Sequence, residues 1–150
     1  MTLRFTAFLF AIALAACSPE AEDTRPGQPV KHRQEAFTAM LNAYEPIGVM
    51  LDDIKQREKP FSLERFSKLK EKLASADEGP WAYFGADTNY PPSKSQPEVW
   101  TEPEKFEAEK QRFLAASAKL RAAEELETIQ SAYKETRASC KSCHDIFRRR

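Results

Sequence analysis

Apolar positions recur at three- and four-residue steps along most of the chain, and this period predicts four helices. In the first, about residues 29–56, Val30, Phe37, Leu41, Tyr44, Ile47, Leu51 and Ile54 form one stripe. Pro29 suits the opening turn, and Pro46 is expected to kink the helix rather than end it, because the stripe resumes beyond it. A second helix is predicted after Pro60, with Ser62 as N-cap and Phe61 stapled onto Phe66, running through Leu69 and Leu73 to about Ala76. Thr101 and Glu104 have capping-box spacing for a third, with Phe106, Phe113, Ala116 and Leu120 on its apolar side. In the fourth, Leu126, Ile129, Tyr133, Thr136, Cys140, Cys143 and Phe147 continue one inward stripe. The connection from Asp77 to Trp100 is long and holds Trp81, Tyr83, Phe84 and Tyr90, which predicts a loop packed by its own aromatics over the core. Four helices with otherwise short connections predict an all-α fold, an antiparallel up-down-up-down four-helix bundle.

The amino terminus departs from this pattern. Arg4 precedes an almost wholly apolar run from Phe5 to Ala16, too short to span a bilayer, which is the layout of a secretory signal peptide over residues 1–16. Leu14-Ala15-Ala16-Cys17 is similar to the lipobox of bacterial lipoproteins. Cys17 is therefore expected to carry lipid and hold the protein at a membrane, with Ser18 favouring the outer one. The alternative is an ordinary cleavage site that a cysteine happens to follow. Residues 17–27 are polar, carry Pro19, Pro26 and Gly27, and read as a tether to a domain over 28–150.

The 150 residues have a formal charge of +0, which argues against a nucleic-acid binder. Glycine occurs only 4 times and in no phosphate-binding loop, and the Ala/Leu/Glu/Lys-rich stretches support an all-helical chain.

Of the 3 cysteines, two lie in Cys140-Lys141-Ser142-Cys143-His144, a C-x-x-C-H haem-attachment signature. Thiols three residues apart on a helix suit the two vinyl groups of one haem, and the neighbouring imidazole suits its iron. A structural zinc site needs four N or S ligands, and beyond this motif only His32 and Cys17 remain. A thioredoxin-like dithiol needs a βαβ setting, which a helical chain lacks. One haem c per chain is therefore expected, attached through Cys140 and Cys143, with His144 as axial ligand.

Several further motifs sit at matching places: Val30-Lys31-His32-Arg33-Gln34, Gly79-Pro80-Trp81-Ala82-Tyr83-Phe84-Gly85, Pro97-Glu98-Val99-Trp100 and the run Cys140 to Arg148. With these, residues 28–150 resemble the cytochromes c′, the class II c-type cytochromes. The resemblance implies that Phe37 lies over the distal face of the iron, where low-spin relatives place a methionine. Phenylalanine has no donor atom, so a five-coordinate, high-spin iron is expected. It further implies that Arg33 meets a haem propionate, the alternative being a solvated surface arginine, and that Arg148 lies in the proximal pocket, the alternative being a helix-terminal cation favoured by the macrodipole.

Other sixth ligands are Met40, about 60° around the helix from Phe37, His32, about 140° away, and Met50, more than three turns on. The expected ligands are nitric oxide and carbon monoxide, the first bound for capture or detoxification in the periplasm. The resemblance also implies a homodimer. An alternative is a low-spin electron carrier serving an unidentified redox partner. An enzyme that reduces nitric oxide would need a distal acid or base, and the sequence offers none.

Overall fold

The computed structural model describes residues 22–149, so the signal peptide and Cys17 lie outside the described residues. The chain is helical, as the periodicity predicts: α1 Pro29–Arg57, α2 Leu63–Lys70, α3 Leu73–Glu78, a 3₁₀ turn Trp81–Tyr83, α4 Glu98–Thr101, α5 Pro103–Ala122 and α6 Leu126–Phe147. The four long segments form the bundle, with α2 and α3 together as its second rod and the closest packing between α5 and α6. No described helix is long and apolar enough to cross a membrane.

α1 runs unbroken through Pro46 and buries Val30, Met40, Ala43, Tyr44, Ile47, Met50 and Leu51. Ser62 caps α2 as expected, its hydroxyl accepting from the Arg65 N–H at 3.2 Å, and Phe61 packs on the core cluster that holds Phe66. Two expectations need correction. The second helix is broken at Glu71–Lys72 and resumes as far as Glu78. Leu69 and Leu73 keep their four-residue step across the break, so the period does not reveal it.

The Thr101/Glu104 capping box does not form. Thr101 is the last residue of α4, its hydroxyl donating to the Pro97 carbonyl at 3.4 Å, and Pro103 opens α5. A proline at the first helical position presets φ and removes an N–H that would need a cap, which fixes the start one residue later than the motif implies, with Glu102 rather than Thr101 at the N-cap position.

The described part of the tether, residues 22–27, is fastened to the bundle. Asp23 is 3 % exposed and caps α1, its Oδ2 accepting from the Val30 N–H at 2.9 Å and the Lys31 N–H at 3.2 Å. Tyr90 donates to its Oδ1 at 2.9 Å. Desolvation opposes ionisation of this carboxyl, but the bond from the Arg25 N–H at 3.1 Å together with those from Tyr90, Lys31 and Val30 outweighs it and lowers the pKa. The core's centre is crossed by a polar cluster: the Tyr44 hydroxyl donates to Asp77 Oδ1 at 2.8 Å, and Ser117, which donates to Asp77 Oδ2, lies beside both. This cluster joins α1, α3 and α5. Burial raises the Asp77 pKa, opposed by the bonds from Ser117 and Tyr44 and by the Arg121 charge.

Gly48 on α1 sits directly against Tyr133 of α6, where an added Cβ would overlap the Tyr133 hydroxyl oxygen. The absence of a side chain at Gly48 is what lets that ring seat.

Candidate functional site

α6 carries the motif near its carboxyl end, where a run free of proline and glycine from Leu126 keeps the helix regular through Phe147. Small back-bonded polar residues line its buried face: the Thr136 hydroxyl donates to the Ala132 carbonyl at 2.9 Å and Ser139 to Thr136 at 2.7 Å. Cys140 packs against the core cluster, and both Cys140 and Cys143 are free thiols. Burial pushes the Cys140 thiol up, and burial with the nearby Glu109 and Cys140 pushes Cys143 up to about 12. Both are therefore neutral at ordinary pH.

His144 borders a cavity of about 350 Å³ lined also by Lys94, Asp145, Arg148 and Arg149. Its helix packing and then the Arg148 cation hold the imidazole below its usual pKa, against Asp145, even though the residue as a whole is exposed. A neutral ring nitrogen is thereby favoured, the form that binds a metal.

Phe37 is half-buried on α1 and meets Trp81 edge-on at 5.9 Å between centroids and Phe84 at 6.1 Å. The rings continue through Phe84–Phe106 at 4.8 Å to Phe106–Phe147 at 5.3 Å, linking the α1 wall to the end of α6. The long loop is thus packed by its aromatics as its composition predicts, and the Trp100 indole donates to the Gly85 carbonyl at 2.9 Å.

Arg33 is 3 % exposed and faces this loop. Its Nη1 donates to the Tyr83 carbonyl at 3.0 Å and Thr88 Oγ1 at 3.2 Å, and its Nη2 to the Thr88 carbonyl at 3.1 Å and Ser93 Oγ at 2.8 Å. Phe84 stacks 4.6 Å below the guanidinium carbon. The terminal nitrogens expected to grip a propionate are thus occupied by the loop, and the residue is not the solvated surface cation that was its alternative reading.

The loop is pinned at its far side too. The Gln96 N–H donates to the Phe147 carbonyl at 2.8 Å, the Arg149 N–H to the Lys94 carbonyl at 2.7 Å, and Arg149 Nη2 to the Ser93 carbonyl at 2.9 Å. Arg148 is exposed and lines the cavity with His144.

Of the other donors, Met40 is buried in the core cluster against which Phe37 and Cys140 also pack, and Met50 is buried farther along α1. His32 is exposed, with Nδ1 3.0 Å from Glu35. The sequence reading missed Thr88, Ser93, Arg149 and the Tyr44–Asp77–Ser117 cluster. Single polar residues in a loop or on an apolar stripe carry no spacing signal, and only the aromatic density of residues 81–100 marked the region.

Two neutral thiols three residues apart on one helix, with an imidazole beside the second, fit the vinyl groups and iron of a haem, and the aromatic rings supply apolar walls. Fold and site together define a c-type haem protein built on a helical bundle. A family model described as "Cytochrome C'" matches residues 28–148. A cytochrome c′ from Alcaligenes xylosoxydans xylosoxydans is 31 % identical over 129 residues, covering 84 % of this chain and 97 % of the relative.

Among solved structures, a nitric oxide complex of a variant cytochrome c′ from Alcaligenes xylosoxidans superimposes with a TM-score of 0.73 at 31 % identity, covering 86 % of this chain and 100 % of the other. A carbon monoxide-bound variant of that cytochrome gives the same TM-score of 0.73, with 31 % identity and the same coverage of 86 % and 100 %. The chain belongs to the cytochrome c′ family, and it carries a covalently bound haem c.

Proposed function

We propose that this cytochrome c′ binds nitric oxide, and carbon monoxide likewise, at an open iron position, with Cys140 and Cys143 forming the thioethers and His144 the axial ligand. The haem c, held by these three residues, would supply an iron able to bind one small neutral ligand. The observation that carries this reading is Phe37, held by Trp81 and Phe84, a wall that presents no donor atom. A wall of this kind excludes charged ligands and offers no hydrogen bond to bound oxygen. The nitric oxide and carbon monoxide complexes of the structural neighbours support it.

Arg33 serves in this reading to hold the loop that keeps Trp81 and Phe84 against Phe37, and Arg148 stands beside the proximal face. The protein acts by binding, for capture or detoxification of the gas, rather than as an enzyme. It is exported to the periplasm and held at the outer membrane by lipid on Cys17. Two copies pair through the exposed α1 residues Leu41, 60 % exposed, and Val49, 52 % exposed, eight residues apart on one face.

A second reading rests on Met40, whose thioether lies in the same core cluster that Phe37 and Cys140 touch. Coordination by Met40 would give a low-spin electron carrier. Absorption spectra of the ferric and ferrous holoprotein, with and without nitric oxide under anaerobic conditions, decide between them. High-spin bands that shift with the gas are expected. Low-spin bands indifferent to it would replace gas binding with electron transfer.

A further inference from the structure

The buried Tyr44–Asp77–Ser117 cluster has no part in holding the haem or the gas, yet it borders their site on two sides. Trp81, which packs edge-on against Phe37, donates its indole N–H to the Asp77 carbonyl at 2.5 Å. Cys140 packs against the same core cluster that holds Tyr44, and its thiol is pushed up chiefly by burial, with the Asp77 charge adding to the effect. The field of this carboxylate therefore reaches the sulfur through which the haem is bonded.

Asp77 is 1 % exposed. Its oxygens are met by two hydroxyls, Tyr44 at 2.8 Å from Oδ1 and Ser117 against Oδ2. The charged side chains facing it are Arg121 of α5, 3.7 Å from Oδ2, and the exposed Glu78 of its own helix. On the α6 side Cys140 carries no charge once it is a thioether, and on the α1 side burial keeps the Tyr44 hydroxyl protonated. Both hydroxyls can accept as well as donate, so the cluster stays hydrogen-bonded whether Asp77 is ionised or protonated. Arg121 is 34 % exposed, which leaves Oδ2 one side chain away from water and gives a proton its way in.

A carboxylate in this position is stabilised by positive charge nearby, and an electron entering the haem removes one such charge. A unit charge about 10 Å away in a medium of effective dielectric ~20 changes a carboxyl's proton affinity by roughly tenfold. We propose that Asp77, held by Tyr44 and Ser117, is a redox-linked proton site: it takes a proton from solvent when the haem bonded at Cys140 gains an electron, and returns it on oxidation. One electron from an external one-electron donor goes to the iron, and one proton from water forms an O–H bond on Asp77; oxidation breaks that bond. The net charge of the interior is thereby kept constant, which spares the core an uncompensated carboxylate. The proposal rests on haem attachment through Cys140.

The midpoint potential of the holoprotein, measured by mediated electrochemistry from acid to neutral pH, tests this together with redox-difference infrared spectra in the carboxyl region. The potential is expected to fall by about 59 mV in total as pH rises, the equivalent of a tenfold difference in proton affinity between the two redox states. A protonated-carboxyl band should appear on reduction. Asp77→Asn should abolish both the fall and the band. Arg121→Gln, which changes a side chain at the surface, should leave the fold intact and move the fall to higher pH, because the cation that favours the carboxylate is gone. A fall that survives Asp77→Asn, or one that Arg121→Gln leaves in place, overturns the proposal. The mass of the haem-bearing peptide is read on the same samples. A haem not bonded to Cys140 overturns the attachment and the proton site together, whereas a bonded haem with a pH-independent potential overturns the proton site alone.

Discussion

Arg33→Ala removes the four hydrogen bonds that tie α1 to the loop at Tyr83, Thr88 and Ser93. Bonds to a charged donor contribute about 1.5–3 kcal/mol each, so their simple sum would be about 6–12 kcal/mol. That sum overstates the cost, because the guanidinium is buried and its release regains hydration, as the lowering of its pKa by desolvation shows. The loop carbonyls can also turn to water once the side chain is gone. Loss of the stacking on Phe84 adds about 0.5–2 kcal/mol. A net loss of about 3–4 kcal/mol is expected, within the range for breaking a buried network.

Arg33→Lys keeps the charge but cannot span both the Tyr83 and Ser93 sides, so it should lose about half as much, some ~2 kcal/mol. Urea unfolding of the holoprotein, followed by helical circular dichroism and by the haem Soret band, gives both values. A loss below about 1 kcal/mol for Arg33→Ala would refute the reasoning, because the ring contacts of Trp81, Phe84 and Phe106 would then suffice to hold the loop.

Phe37→Ala should speed nitric oxide association by about tenfold in stopped-flow mixing, equivalent to about 1.4 kcal/mol off the entry barrier, while Phe37→Met should convert the ferric spectrum to low-spin. An unchanged association rate would place the ligand elsewhere. Gly48→Ala should destabilise the protein by about 1–3 kcal/mol, because its Cβ would displace the Tyr133 ring. In a Tyr133→Ala background the same change should instead stabilise by roughly 1 kcal/mol, the helix propensity of alanine over glycine; unfolding midpoints of the four proteins check the reversal of sign.

Asp77 has its pKa raised in the folded chain by burial. Its contribution to stability is therefore full below the ordinary aspartate value near ~3.9 and is lost as pH rises through the folded value. The stability of the parent relative to Asp77→Asn should fall between acid and neutral pH. A flat difference would mean that Arg121 and the two hydroxyls hold the carboxylate ionised throughout.

The sequence by itself determined the helices, most of their inward stripes, the haem motif and the aromatic character of the long loop, because each is written in local spacing; the exception on α1 is Leu41, placed on the inward stripe by its period but exposed, with Met40 buried instead. A period of 3.6 survives any tertiary arrangement, and Cys140, Cys143 and His144 are close in space simply because they are close along one helix. Helix starts were less legible: Pro103 displaced the cap expected at Thr101, since one backbone constraint outranks a side-chain bond that other geometry can replace.

Tertiary structure alone decided what Arg33 does, because its partners lie 50–60 residues away and no spacing rule connects them. The same holds for Asp77, which reads as the start of a loop and is instead the buried acceptor of Tyr44 and Ser117. Asp23 looked like part of a polar tether, and only the folded chain shows it capping α1 and joining Tyr90. Burying a charged group requires partners from several elements at once, and those partners are brought together only when the chain packs.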